Sequence, residues 1–249
     1  MTLPTFVAQN DNIESSSSTI TPAVPTGTVE DDVMVAWAAS NGHSTADCFV
    51  TPAGWTRFVY EHVEGSDKMT LVGYWKAAGA SETPTTFLVS GSESVYIVAS
   101  VESWRGVATA TAVDASGSDS NTGSNIDVYL AGLTTTAADC VVSSFGTEWN
   151  YVGSGFGAIA GWTTTATIDS DYSGVYRRDF ATAGTLAATN AGHKDNDMWL
   201  SGTVALKPPA GPPPTTYTVK QWIGGDWSEV ISKAWNGSAW QPSPYTPIA

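Results

Sequence analysis

The chain has 249 residues, 42% hydrophobic and only 14% charged, which is enough apolar material for a core and excludes a disordered polyelectrolyte. Ten basic against 24 acidic side chains give a net charge of −14, which repels phosphate backbones and excludes nucleic acid as an expected partner. The opening "MTLPTFVAQNDNIESSSS" has no basic start and no apolar run, so the expectation is synthesis in a cytoplasm, without signal peptide or membrane insertion.

In chain order, the predicted elements are short β-branched or alternating runs. They are "DVMVAWAA" (32–39), "WTRFVYEHV" (55–63), "KMTLVGYWKA" (68–77), "TTFLV" (85–89) and "SVYIVASVESW" (94–104). "NIDVYL" (125–130), "DCVVSSF" (139–145), "AIAGWTTTATI" (158–168) and "MWLSGTVAL" (198–206) follow, separated by Gly, Pro, Asn and Ser clusters. No window sustains a helical apolar period for three turns. In "SVYIVASVESW" neither face is strongly polar, as expected of an inner strand between packed layers.

A long internal repeat points to duplication. "DVMV" at Asp32 answers "DCVV" at Asp139, and "GWT" at Gly54 answers "GWT" at Gly161, both 107 residues on. "VYIVASV" (95–101) answers "MWLSGTV" (198–204) at an offset of 103. The expected fold over 1–207 is therefore an all-β, jelly-roll-like antiparallel β-sandwich with internal duplication, with Trp55 and Trp162 in equivalent places.

Residues 208–216, with Pro208, Pro209, Pro212, Pro213 and Pro214, read as a semi-rigid linker. The tail, 217–249, repeats every 13 residues: Lys220, Trp222, Gly224 and Trp227 answer Lys233, Trp235, Gly237 and Trp240. Gly224-Gly225 and Asn236-Gly237 are hairpin turn signals, so each unit reads as a β-hairpin with a tryptophan on each arm. A segment this small has no room for an ordinary core. Trp222, Trp227, Trp235 and Trp240 are the candidate interaction residues; they pack on each other and a partner, or form a platform for a ligand such as a sugar.

The motifs of nucleophile elbows, zinc-protease helices and phosphate loops do not occur. His43 and His193 lie in loop-like surroundings without a Ser and Asp arrangement, and Glu61, Glu64 and Glu102 read as surface or strand acids. Cys48 and Cys140 allow at most one disulfide, and Cys140 reads as a small buried hydrophobe. "DASGSDSNTGSNID" offers Asp114, Asp119 and Asp127, and "HKDND" offers Asp195 and Asp197, as oxygen ligands that could hold Ca²⁺ if these segments are loops. No other cofactor is implied.

"VPTGTVEDDVMVAW", "TPAGWTRF", "YWKAAGASETPTTFLVS" and "VESWRGV" together resemble a β-sandwich module of virion proteins from tailed bacteriophages, those of actinobacteria above all, over residues 5–207. The tail's "W-x-G-x-x-W" units resemble the C-terminal repeats of minor tail proteins in such phages. The resemblance carries over turn and core residues and no catalytic ones. It implies a non-enzymatic structural virion protein, of the minor tail or tail-tip type, acting in host-cell attachment. The expected partners are other virion proteins and a host cell-surface glycan. Linked copies gain avidity, so a homo-oligomer is also expected, with a trimer favoured. The alternatives are a capsid decoration or head-fibre protein docked on the shell, and a carbohydrate-binding module or glycan-active enzyme.

Overall fold

A computed structural model of the chain describes residues 2–42, 47–64, 68–90, 95–122, 127–148, 156–168, 173–193, 198–211, 216–223, 226–235 and 240–242. Regular structure among them is entirely β, in two compact units, Thr2–Pro208 and Pro209–Ala249.

The first half of the larger unit contributes β1 (Thr5–Ser17), β2 (Thr19–Ile20), β3 (Val33–Asn41), β4 (Phe49–Val50), β5 (Thr56–Val63), β6 (Met69–Ala77), β7 (Phe87–Val89) and β8 (Val95–Arg105). They form a large antiparallel sheet in the order β1-β8-β3-β6-β5 and a small one in the order β2-β7-β4. Strand 1 beside 8, 8 beside 3 and 3 beside 6, with 2 beside 7 and 7 beside 4, is the order of a long hairpin rolled up on itself, a jelly roll. Strand β5 extends the large sheet beyond β6.

The second half contributes β9 (Val113–Asn121), β10 (Asp127–Leu130), β11 (Leu133–Thr135), β12 (Cys140–Glu148), β13 (Thr163–Ile168), β14 (Ser173–Phe180), β15 (Gly184–Leu186), β16 (Thr189–His193) and β17 (Trp199–Leu206). Its large sheet runs β9-β17-β12-β14-β13, the same order once each strand is matched to its counterpart, with β10-β16 and β11-β15 as small pairs. Details match too. Gly54 and Gly161 adopt φ of 79° and 78°, a left-handed conformation that glycine takes without a Cβ penalty. Each precedes a tryptophan whose N–H closes a turn, Trp55 onto Pro52 O at 3.2 Å and Trp162 onto Ile159 O at 3.0 Å. Each edge strand then carries a bulge at the same step, Phe58 in β5 and Thr165 in β13. Duplication is thus built into the fold, and Trp55 and Trp162 are equivalent.

The structure adds one feature to the sequence reading and corrects another. The expected facing sheets are the two large ones, one from each half. Each half is also its own roll, with its short strands outside its large sheet: β2-β7-β4 in the first half, and the pairs β10-β16 and β11-β15 in the second. Val33, Val35 and Trp37 of β3 meet Val141 and Phe145 of β12 in the central core, while Met34, Ala36 and Ala38 face an outer core with Trp55 and Phe87. That is why all nine residues of β3, and all of β12 and β17, are buried. The pairing of "DVMV" with "DCVV" is also one residue out of register. Asp31 and Asp139 are the true counterparts: both have positive φ, 68° and 57°, and both donate their N–H at 3.0 Å, to Ala78 O and Ala181 O respectively. The corrected offset puts Val33 over Val141 and Trp37 over Phe145, keeping each on the central face. Opposite Trp37 and Phe145, β8 and β17 place Ser100 and Gly202, so their offset is 102 and not 103.

In the smaller unit, β18 (Thr216–Ile223), β19 (Asp226–Trp235) and β20 (Trp240–Pro242) form one antiparallel meander. Each 13-residue unit reads as its own hairpin, and in the fold the two consecutive hairpins share β19 as their common arm.

Candidate functional site

The tail register pairs Trp222 with Trp227 and Trp235 with Trp240, one tryptophan on each arm of each hairpin. The turn residues Gly224, Gly225, Asn236 and Gly237 lie outside the described residues.

The candidate calcium ligands are dispersed. The segment read as a loop around Asp114 and Asp119 is the edge strand β9, and Asp119 stands opposite Ser201 of β17. Asp114 accepts the Thr136 and Ala137 N–H groups at 2.6 and 3.1 Å and the Thr136 hydroxyl at 2.8 Å, so its oxygens tie the 133–137 segment to the sheet. Burial pushes its acidity down, but these bonds and Lys207 outweigh it and hold the carboxyl below the usual range. Asp127 pairs with His193 along β10 and β16. Asp195, Asp197 and His43 lie outside the described residues. Among the described residues no three His, Cys, Asp or Glu side chains gather as a metal-ligating group. Cys48 and Cys140 are free and buried in separate outer cores, and burial pushes the Cys140 thiol up to about 11.

The motifs singled out in the sequence bind one another. Arg105 of "VESWRGV" grips Asp32 of "VEDDVMV" with Nε and Nη2, both at 2.9 Å, and donates to Gly27 O of the "PTG" turn at 3.1 Å. Lys76 and Glu82 of "KAAGASE" form an ion pair, and Lys76 sits 5.2 Å from the ring centre of Trp55 in "TPAGW". The Trp55 N–H donates to Thr85 Oγ1 at 3.2 Å, so this tryptophan is covered on its face and satisfied at its edge.

Glu102, read as an ordinary strand acid, is fully buried in the central core. Burial raises its pKa to about 7, with Asp11 adding to the rise, while Ser143, Trp104 and Arg177 pull it down. The Ser143 hydroxyl donates to Glu102 Oε2 and accepts the Trp37 N–H at 3.0 Å, so one polar chain crosses between the halves.

A groove of about 750 Å³ opens where β1 of the first half runs beside β13 and β14 of the second, within the larger unit. Phe6, Trp162 and Thr163 line it together with Arg177, Arg178 and Asp179. Phe6 is held edge-on against buried Trp104, with centroids 5.3 Å apart, and the Arg177 guanidinium lies 4.2 Å from the centre of the Phe6 ring. The Trp162 Nε1–H is buried and has no hydrogen-bond partner among the described residues. Two of the chain's four arginines, Arg57 and Arg105, are in ion pairs with Asp47 and Asp32; Arg177 and Arg178 form none among the described residues. The sequence reading did not single out this groove. Its signal was the "YRRDF" doublet, two adjacent arginines in a strongly acidic chain.

No protein-family model, no curated protein and no solved structure matches the chain.

Proposed function

We propose that the chain is a non-enzymatic structural protein of a tailed-bacteriophage virion, of the minor tail type, acting at the tail tip in host-cell attachment. One observation carries the reading: the motifs that resemble the phage virion module are spent on one another. Asp32 closes on Arg105, Lys76 on Glu82 and on Trp55, and Trp104 lies in the core. Such motifs preserve a scaffold. A compact double roll followed by a proline run and a second β unit suits a part that is anchored in an assembly and presents a surface. Several copies held in one particle would turn weak individual contacts into firm attachment.

Gold-labelled antibody against the chain, applied to intact particles and imaged by electron microscopy, tests the location. Label at the tail tip is expected. Label over the capsid shell sinks the tail reading in favour of a decoration or head-fibre protein.

A further inference from the structure

The duplication supplies an internal control for the groove, because each residue lining it has a counterpart in the other half. By strand register, Arg177 and Arg178 correspond to Trp75 and Lys76, and Phe6 and Trp104 to Val113 and Leu206. In the counterpart position Trp75, Val113 and Leu206 pack into or against the central core. Lys76 covers Trp55 there and is neutralised by Glu82, and the Trp55 N–H is taken by Thr85. The seam between β5 and β9 is closed further by Ser118 and Ser120, which donate to Glu61 at 2.6 and 3.0 Å, and by Ser116, which donates to Phe58 O at 3.0 Å. One copy of the site is therefore filled and internally satisfied.

The other copy is open, and the changes that open it replace internal partners by donors that face the groove. An indole gives way to the Arg177 guanidinium stacked on Phe6, the ion-paired Lys76 to an Arg178 that forms no ion pair among the described residues, and the satisfied Trp55 to a Trp162 whose indole N–H has no acceptor among them. A buried donor without a partner costs about 1–3 kcal/mol, so the Trp162 N–H and the half-buried Arg178 make the groove complementary to a ligand that brings acceptors. Guanidinium forks match carboxylate geometry in two parallel bonds. The half-buried Trp162 ring supplies flat apolar surface beside the Arg178 fork, and Asp179 at the exposed rim supplies an acceptor for hydroxyl groups. The volume is within the range of small-molecule clefts. Long polyanions are repelled by the net charge of −14, but that field is screened over about 10 Å and a short acidic unit is bound at contact range.

We infer that the groove between β1 and β13/β14 is a binding site for a carboxylate-bearing saccharide, its acid group held by Arg178 with the Trp162 N–H beside it and its ring face laid on Trp162. This rests on the attachment reading only for where the sugar comes from, an acidic glycan of the host surface.

Calorimetric titration of the full chain with trigalacturonic acid, its neutral methyl ester and inorganic phosphate is the test. The free acid is expected to bind. Esterification, and separately Arg178→Gln, should each weaken binding by about tenfold, the loss of one charged bidentate contact. Trp162→Phe, which keeps a ring and loses the N–H, should weaken it severalfold with an unchanged melting temperature. If Arg178→Gln does not fold, Arg178→Lys, which keeps the charge and loses the fork, makes the same comparison. The site is overturned by no binding of the acid at millimolar concentration, by equal binding of acid and ester, by equal binding to wild type and folded arginine variants, or by phosphate binding as tightly as the sugar. Particle labelling is independent of this: label away from the tail removes the attachment reading and leaves the groove, whereas failed titration does the reverse.

Discussion

Trp37 and Phe145 stack across the two large sheets, centroids 6.2 Å apart and planes 15° from parallel, and each is the other's counterpart in the duplicated fold. Residues that meet their own equivalents mark the position of a pseudo-two-fold axis. The Trp37 ring also meets Phe58 edge-on at 5.2 Å, and its N–H feeds the Ser143–Glu102 chain. It is the centre of the contact between the halves.

Trp37→Ala should therefore cost about 3–5 kcal/mol, the usual loss for a large buried aromatic. Urea unfolding followed by far-UV circular dichroism measures it. A loss below about 1 kcal/mol contradicts the central role of this ring.

Space around Trp37 is made by glycine. A Cβ on Gly202 of β17 falls 2.5 Å from Trp37 Cζ3 and 3.1 Å from Leu71 Cδ2, deep between well-packed sheets. Gly202→Ala should destabilise by about 1–3 kcal/mol through overpacking. Gly157→Ala, where nothing lies within 4 Å, is the control and should be near neutral.

Glu102 makes stability depend on pH. Its folded pKa of about 7 exceeds the ordinary 4.5, chiefly through burial. As pH rises the unfolded chain releases this proton first. Stability is thus fully present below about 4.5, declines through that window and levels off above 7, by about 3 kcal/mol in all. The low-lying carboxyls Asp114 and Glu82 act in the opposite sense and at lower pH. Glu102→Gln should flatten the decline between pH 5 and 7.5 in denaturant titrations. An unchanged slope in that variant assigns the decline elsewhere.

Deleting residues 208–249 should leave a cooperatively melting chain, since Thr2–Pro208 is compact by itself. Incorporation into particles should fall, partially for Trp235→Ala and little for Lys233→Ala, because aromatic anchors carry most interface energy. Normal incorporation with loss of host adsorption alone makes the tail a ligand platform.

Light scattering of the purified chain should give three times the monomer mass of 26.0 kDa. A monodisperse monomer at micromolar concentration rules out self-association as the source of avidity.

The sequence by itself determined the all-β class, nine of the strands, the duplication and the cross-strand tryptophan pairs of the tail. Those features are local. Alternation and β-branching write a strand into a few residues, and Gly-Trp or Asn-Gly writes a turn. Strands β1 and β9 were hidden because "AQNDNIESSS" and "DASGSDSN" have poor strand propensity, and the Asp-rich pattern of β9 read as a calcium loop. Each is strand only because an edge of a large sheet stands open beside it, which is a tertiary circumstance. The one-residue register error had the same origin: similarity of composition places two strands side by side, but only the choice of buried face decides which residues correspond. The stacking of the rolls placed Glu102 in the centre of the core and brought Phe6 alongside Trp162 and Arg177. No local pattern encodes either outcome, since residues so far apart in the chain meet only after each half has buried its own face and offered the other to its counterpart.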